Sequence, residues 1–274
     1  MRTRFATHLS LVLSLTLVSA ALARSADTPA SQRADATIGQ APIQAPGQVP
    51  GGFLAITASD VPYNFYFTRV AYSGWRNSWR TDYPWADRWI AGVLGRLTAI
   101  DVSPMENPVR LDDPDLRRFP FIYALEVGSM ALTDQEVVAL RGYLEAGGFL
   151  MIDDFWGSYQ WMNWEREIRR VLPEFEIVDI PMDHPIFSTF YEIDEIVQVP
   201  AIGYQRRGTT HEQDGYVPRA LGIFDDAGRL MVMINWNTDI GDAWEHAEDP
   251  GYPLEFSTYA YQIAANTIIY AMTR

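Results

Sequence analysis

The stretch Gly147-Gly148-Phe149-Leu150-Met151-Ile152-Asp153-Asp154-Phe155 constrains the fold more than any other part of the chain. Four apolar residues between a glycine pair and an aspartate pair spell a strand buried on both faces, the kind found in parallel sheets covered by helices. The two carboxylates then fall at the carboxyl end of that strand. Open α/β sheets bind their ligands at that edge, near a point where the strand order reverses. The run predicts a fold and a location. It names no reaction.

The surrounding sequence alternates between the two periodicities. Asn64 to Tyr72 reads as a strand rich in aromatic and β-branched residues, and Pro84 to Leu97 carries Trp85, Trp89, Ile90, Val93, Leu94 and Leu97 at helical spacing. Trp89, on the apolar face of that helix, is read as core. Phe119 to Val127 is a second apolar strand. Thr133 followed by Glu136 has the capping-box spacing, and the helix it opens runs through Val137, Leu140, Tyr143 and Leu144 to the glycine pair. Trp161 to Leu172 reads as a helix, Phe175 to Ile180 as a strand, and Thr258 to Met272 as a closing helix. Arg219 to Phe224 and Leu230 to Trp236 flank Asp225-Asp226-Ala227-Gly228, a hairpin turn. These elements predict an α/β three-layer sandwich with a mostly parallel sheet and a C-terminal β-hairpin added at one edge.

The first residues have the form of an export signal. Arg2 and Arg4 precede the apolar stretch Leu9 to Ala20, and Ala21-Leu22-Ala23 supplies the small-x-small cleavage pattern. The apolar stretch is shorter than the about 20 residues a membrane span needs. Residues 1–23 are therefore read as a signal peptide, 24–52 as a flexible linker rich in Pro, Gln and Ala, and 53–274 as a single domain. The expected location is periplasmic or extracellular, with no stable membrane span once the signal is removed. A formal charge of −14 argues against nucleic acid as a partner. The chain has no cysteine, which excludes disulfides, thiolate catalysis and cysteine-ligated zinc.

Several blocks carry a family resemblance. They are Phe67-Thr68-Arg69-Val70-Ala71-Tyr72, Trp79-Arg80-Thr81-Asp82-Tyr83-Pro84, Phe119-Pro120-Phe121-Ile122-Tyr123, Gly147-Gly148-Phe149-Leu150, Asp153-Asp154 and Asp183-His184-Pro185-Ile186-Phe187. Asp239-Ile240-Gly241-Asp242-Ala243-Trp244 and Ala265-Asn266-Thr267-Ile268-Ile269-Tyr270 complete the set. From about Phe65 to the C-terminus the chain resembles the bacterial family called domain of unknown function 4159. The resemblance implies a flavodoxin-like sandwich similar to class I glutamine amidotransferases. It places Asp153 or Asp154 near the position of those enzymes' nucleophilic cysteine, so this chain is not a thiol-dependent amidotransferase.

Three loops are expected at one edge of the sheet. Ser73 to Asp82 brings Trp75, Arg76, Trp79 and Asp82, while Asp153 to Trp164 brings the aspartate pair, Trp156 and Tyr159. The third brings Asp183 and His184. Together they form a candidate ligand site, with aromatic faces for sugar rings and carboxylate or guanidinium groups for hydroxyls. Asp153, Asp154 and His184 are the candidate catalytic groups. Each has a structural alternative: the aspartates can bond loop or helix amides, and His184 before Pro185 can fix its own turn. Asp239, Asp242 and Glu245 offer oxygen ligands for a divalent metal, although their spacing is not that of an EF-hand, and a solvated acidic loop before the last helix is the favoured reading of them. No cofactor is identified. The leading expectation is a non-catalytic binding module of the cell envelope for a small molecule, a glycan or an envelope protein. The alternative is a carboxylate- and histidine-dependent hydrolase, metal-assisted or not, acting on glycans or envelope fragments.

Overall fold

A computed structural model describes residues 63–273. The expected signal peptide and linker lie outside these residues. Among the described residues, seven strands form one sheet: β1 (Thr68–Ala71), β2 (Asn107–Arg110), β3 (Phe121–Leu125), β4 (Phe149–Asp153), β5 (Ile177–Asp179), β6 (Arg219–Phe224) and β7 (Leu230–Trp236). Their spatial order is β2-β1-β3-β4-β7-β6-β5. The first five in that order run parallel, and β6 runs antiparallel to both its neighbours. The helices are α1 (Trp85–Leu97), α2 (Asp134–Glu145), α3 (Gly157–Val171), α4 (Ile202–Gln205), α5 (Ile240–Glu245) and α6 (Leu254–Thr273).

The period-two geometry of strands sorts the apolar residues into two layers. Phe121, Tyr123, Leu125, Phe149, Met151 and Met233 pack with Ile90 and Leu94 of α1, Trp244 of α5 and Ile263 and Ile268 of α6. Ile122, Ala124, Leu150, Ile152, Val232 and Ile234 pack with Leu140 and Leu144 of α2 and Trp164 and Ile168 of α3. Both faces of the sheet are therefore covered, which is why β4 is apolar at every position before its aspartate. Trp89 is half-buried against the first of these layers.

The glycine pair before β4 has two separate reasons. Gly147 takes φ +105°, which closes α2 with a left-handed turn, and a Cβ on Gly148 would lie 2.4 Å from the ring of Tyr143. At the other end of α2 the capping box is complete. Its glutamate does a second job: Glu136 Oε1 accepts from the amide of Ser73, tying α2 to the loop that leaves β1.

Four expectations are corrected. The hairpin forms at Asp225–Gly228, but β7 is an interior strand beside β4, paired Leu150 to Val232, rather than an addition at the edge. The unbroken apolar run Leu230-Met231-Val232-Met233-Ile234 is buried on both faces, as a parallel strand requires. The edge belongs to β5, only three residues long. β2, four residues with a proline, carries too little pattern to be read from sequence, and α3 and α6 begin earlier than their spacing suggested. The acidic segment from Asp239 is not a solvated loop, because Asp239, Ile240, Gly241, Asp242, Ala243 and Trp244 are buried and most of them form α5.

One ion pair joins the front of the sheet to its first helix. Arg69 of β1 and Asp87 of α1 are both buried, with Arg69 Nε 2.8 Å from Asp87 Oδ2. Arg69 Nη1 donates to the carbonyls of Trp79 at 3.1 Å and Thr81 at 2.8 Å. Removing one partner of such a pair strands a buried charge. Asp87→Ala is expected to destabilise the fold by about 3–5 kcal/mol, and Asp87→Asn by less, as measured by chemical denaturation.

Candidate functional site

Four parallel strands deliver polar residues at their carboxyl ends, and lateral hydrogen bonds continue past the sheet. Glu126, which follows β3, donates its amide to the carbonyl of Asp154, and Asp154 donates to the carbonyl of Thr238 after β7. Tyr72, which follows β1, donates its hydroxyl to the carbonyls of Leu125 and Glu126. The ends of β1, β3, β4 and β7 are thus fixed relative to one another.

Asp153 is fully buried within this frame. Its Oδ2 accepts from the hydroxyl of Tyr123 at 2.9 Å and from the amides of Ile240 at 2.8 Å and Gly241 at 2.9 Å. Asp239 caps α5 by accepting from the amide of Asp242. Asp154 accepts from the indole N–H of Trp156 at 3.0 Å. Asp82 arrives from the loop whose carbonyls Arg69 holds. One carboxylate oxygen each from Asp82, Asp154 and Asp239 lies within 4.8 Å of the other two. Asp242, Glu245 and His246 form a second group by the same measure. Two buried oxygens, Asp82 Oδ2 and Asp153 Oδ1, accept no hydrogen bond from the described residues.

Burial and mutual repulsion hold protons on these groups. Burial is the main cause throughout, pushing Asp153 up to about 7 and Glu126 likewise to about 7, the latter helped by Glu212. Asp154 is raised well above the ordinary carboxylate range by burial, then by Glu126 and Asp82. Asp239 is raised similarly by burial, then by Asp154 and Asp242. For Asp82 the neighbouring Asp242 adds to burial and Arg69 partly offsets it. The backbone is strained at the same edge. Asp82, Glu126, Asp154, Gln213 and Asn237 all adopt positive φ without being glycine.

Beside the carboxylates lies a cleft of about 670 Å³. Its walls come from the loop after β1 (Trp75, Arg76, Ser78), the loop after β3 (Glu126 and Gly128 to Ala131), the start of α3 (Tyr159, Gln160, Asn163, Arg166) and Gln213. Trp75 and Tyr159 are 68% and 72% exposed, so neither ring is consumed by the core. The guanidinium of Arg76 lies over the Trp75 ring, 4.2 Å from its centroid.

The sequence-derived candidates divide accordingly. Trp75, Arg76 and Tyr159 share the cleft, whereas Asp82, Asp154 and Asp239 converge on one point, with Asp153 close enough to raise the pKa of all three. Trp156 and Trp79 are buried, the first bonded to Asp154 and the second offering its carbonyl to Arg69. Asp242 and Glu245 stand with His246 rather than with Asp239. His184 is not brought to the aspartates. Its ring packs on Phe224 and Tyr270, and Tyr270 packs on Phe149, the first residue of β4. Asp153 is the last residue of that strand, roughly 13 Å further along at the usual rise. His184 Nδ1 accepts from the amide of Ile186 and caps its own turn, and Asp183 is exposed beside it. Glu126, Asn163, Arg166 and Gln213 were missed. The rule that marked Asp153, a polar residue ending an apolar strand, also marks Glu126.

A family profile described as Domain of unknown function (DUF4159) matches residues 66–272. The chain belongs to that family. The DUF4159 span contains every strand of the sheet, the carboxylate cluster and the cleft. No curated protein matches the chain.

A carboxyl group whose pKa is raised by folding binds its proton more tightly in the folded than in the unfolded state. Its contribution is fully present below the unfolded value and is lost as pH rises through the folded one. For Asp153 that window runs from 3.8 to about 7. Chelator-treated protein is therefore expected to melt at a higher temperature near about pH 5 than near about pH 8. Asp153→Asn keeps an oxygen for Tyr123 and the α5 amides, and should flatten this dependence in scanning calorimetry while raising the melting temperature at the alkaline end.

Proposed function

We propose that the protein is an exported, non-catalytic binding module of the cell envelope whose cleft takes an uncharged polar ligand, with a glycan fragment as the best fit. The observation that carries this reading is the pairing of two exposed aromatic rings, Trp75 and Tyr159, in one cleft with amide and guanidinium donors. Sugar rings stack on such faces, and Gln160, Asn163, Arg166 and Gln213 offer hydrogen bonds to hydroxyls. Arg166 is already paired with Glu167 at 3.3 Å and the guanidinium of Arg76 lies over the Trp75 ring, so neither is held out as a free anion receptor, which favours a neutral ligand. Export rests on Arg2, Arg4, the apolar stretch Leu9 to Ala20 and the Ala21-Leu22-Ala23 site. Among the described residues no helix is long and apolar enough to cross a membrane.

The position of the cleft supports a flavodoxin-like, amidotransferase-like architecture. The parallel strands follow the order 2-1-3-4-5 when β7 is counted fifth, and β1 and β3 flank the point where that order reverses. Asp154 stands at a strained strand-to-helix turn with φ +45°, the kind of turn on which related sandwiches present a nucleophile. An aspartate there, with no thiol in the chain, favours binding over amidotransfer.

Hydrolysis is the second reading, and one observation favours it: Asp153 holds its proton to about 7, near the optimum for a general acid. Its complete burial, with His184 at the far end of β4, favours binding over hydrolysis.

Neutral oligosaccharides, including envelope glycan fragments, are expected to raise the melting temperature and give saturable heats in calorimetry. Trp75→Ala and Tyr159→Ala should weaken that binding about tenfold or more while leaving the ligand-free melting temperature unchanged, because both rings are exposed. Equal affinity in the wild type and both variants would falsify the cleft as the binding site.

A further inference from the structure

We propose that Asp82, Asp154 and Asp239, backed by Asp153, form a binding site for a hard divalent cation of the Ca²⁺ or Mg²⁺ class. The site is separate from the cleft and does not depend on what the cleft binds.

Three chain segments distant in sequence supply the oxygens. Asp82 comes from the loop after β1, Asp154 from the turn after β4, and Asp239 from the segment after β7. One oxygen of each lies within 4.8 Å of the others. A Ca²⁺ ion holds its oxygens at about 2.3–2.6 Å, so two ligands of one ion stand no more than roughly 5 Å apart. The observed spacing falls inside that limit. A set made only of carboxylate oxygens selects a hard cation, since zinc prefers nitrogen and sulfur donors. The imidazole of His246 belongs to the neighbouring group with Asp242 and Glu245.

Convergence of acidic residues alone is common. What sets this group apart is its unused acceptor capacity. Asp82 Oδ2 is buried and accepts no hydrogen bond from the described residues. Asp153 is fully buried and its Oδ1 is in the same condition, although its other oxygen takes three donors. Buried carboxylate oxygens without a donor are costly, and a cation in contact with them removes that cost. The nearby buried guanidinium cannot serve, because Arg69 is committed to Asp87 and to two backbone carbonyls. The backbone carries a cost as well: Asp82 and Asp154 both hold positive φ, a conformation unfavourable for residues other than glycine.

The test uses the full chain, stripped of metal with a chelator and titrated with CaCl₂, MgCl₂ or MnCl₂ alone at near-neutral pH. One saturable site per chain is expected by calorimetry, together with a rise in melting temperature. Asp82→Asn and Asp239→Asn should each weaken binding by at least about tenfold, the lower end of what even outer-shell changes cost. Their metal-free melting temperatures should equal or exceed that of the wild type, because an amide needs neither a bound proton nor a counter-ion to stay buried, whereas loss of a merely structural carboxylate would lower them. Glu245→Gln, in the neighbouring group, should leave affinity unchanged. Trp75→Ala should do the same, which separates failure here from failure of the cleft. A readout on the intact protein covers the case where an aspartate variant does not fold. Tb³⁺ should show luminescence sensitised through Trp156, whose indole bonds Asp154, and Ca²⁺ should displace it. Absence of saturable binding by all three metals, binding indifferent to both Asn variants, or Tb³⁺ emission that Ca²⁺ does not displace overturns the proposal.

Discussion

Arg69 enters the interior as a full charge, and the surrounding chain is arranged to keep it there. Its guanidinium spans Asp87 of α1 and the carbonyls of Trp79 and Thr81, and lies 5.3 Å from the centroid of the Tyr123 ring. A planar fork of donors can meet all of these at once, which an ammonium could not. Isolated charge is expensive in this environment, so the pair with Asp87 is obligatory once the arginine is buried. The geometry then propagates. With Trp79 and Thr81 fixed, Asp82 has one place to go, and Tyr123, touching the same guanidinium, presents its hydroxyl to Asp153.

Much of the fold was legible because the patterns behind it are local. The glycine pair, the apolar run of β4, the capping box of α2 and the spacing of α1 each encode their own structure within about a dozen residues. The failures were non-local. A sheet's strand order is not written in any one strand, so β7 read as part of an edge hairpin although its unbroken apolar run already spoke for an interior place. α5 is six residues long and owes its existence to burial under α6 and to the amides that Asp153 receives. A loop leaving a strand is expected to stay at that strand's end, which would put His184 beside the aspartates. β5 is only three residues long, and the chain beyond it carries the imidazole down to Tyr270.

The candidate site was half readable for the same reason. Asp153 and Asp154 announce themselves by following an apolar strand. That Asp82 and Asp239 join them, rather than Asp242 and Glu245, depends on how three connections cross in space. The result is two adjoining features rather than one. The carboxylate cluster lies inside and the open aromatic cleft stands apart from it, with Glu126 lining the cleft and also raising the pKa of Asp154.

The left-handed backbone at Asp154 has a consequence for sequence drift. Only glycine, asparagine and aspartate enter that region readily, and a β-branched or bulky side chain there is a conformational outlier. Substitution at this turn is therefore channelled. A lineage can exchange aspartate for asparagine and lose the carboxyl while the turn, the start of α3 and the bond to Thr238 survive. It cannot drift through valine or leucine without disturbing the strand end itself. Shape and acidity at this position are therefore separable by a single substitution, and one backbone can carry either a carboxyl or an amide at this turn.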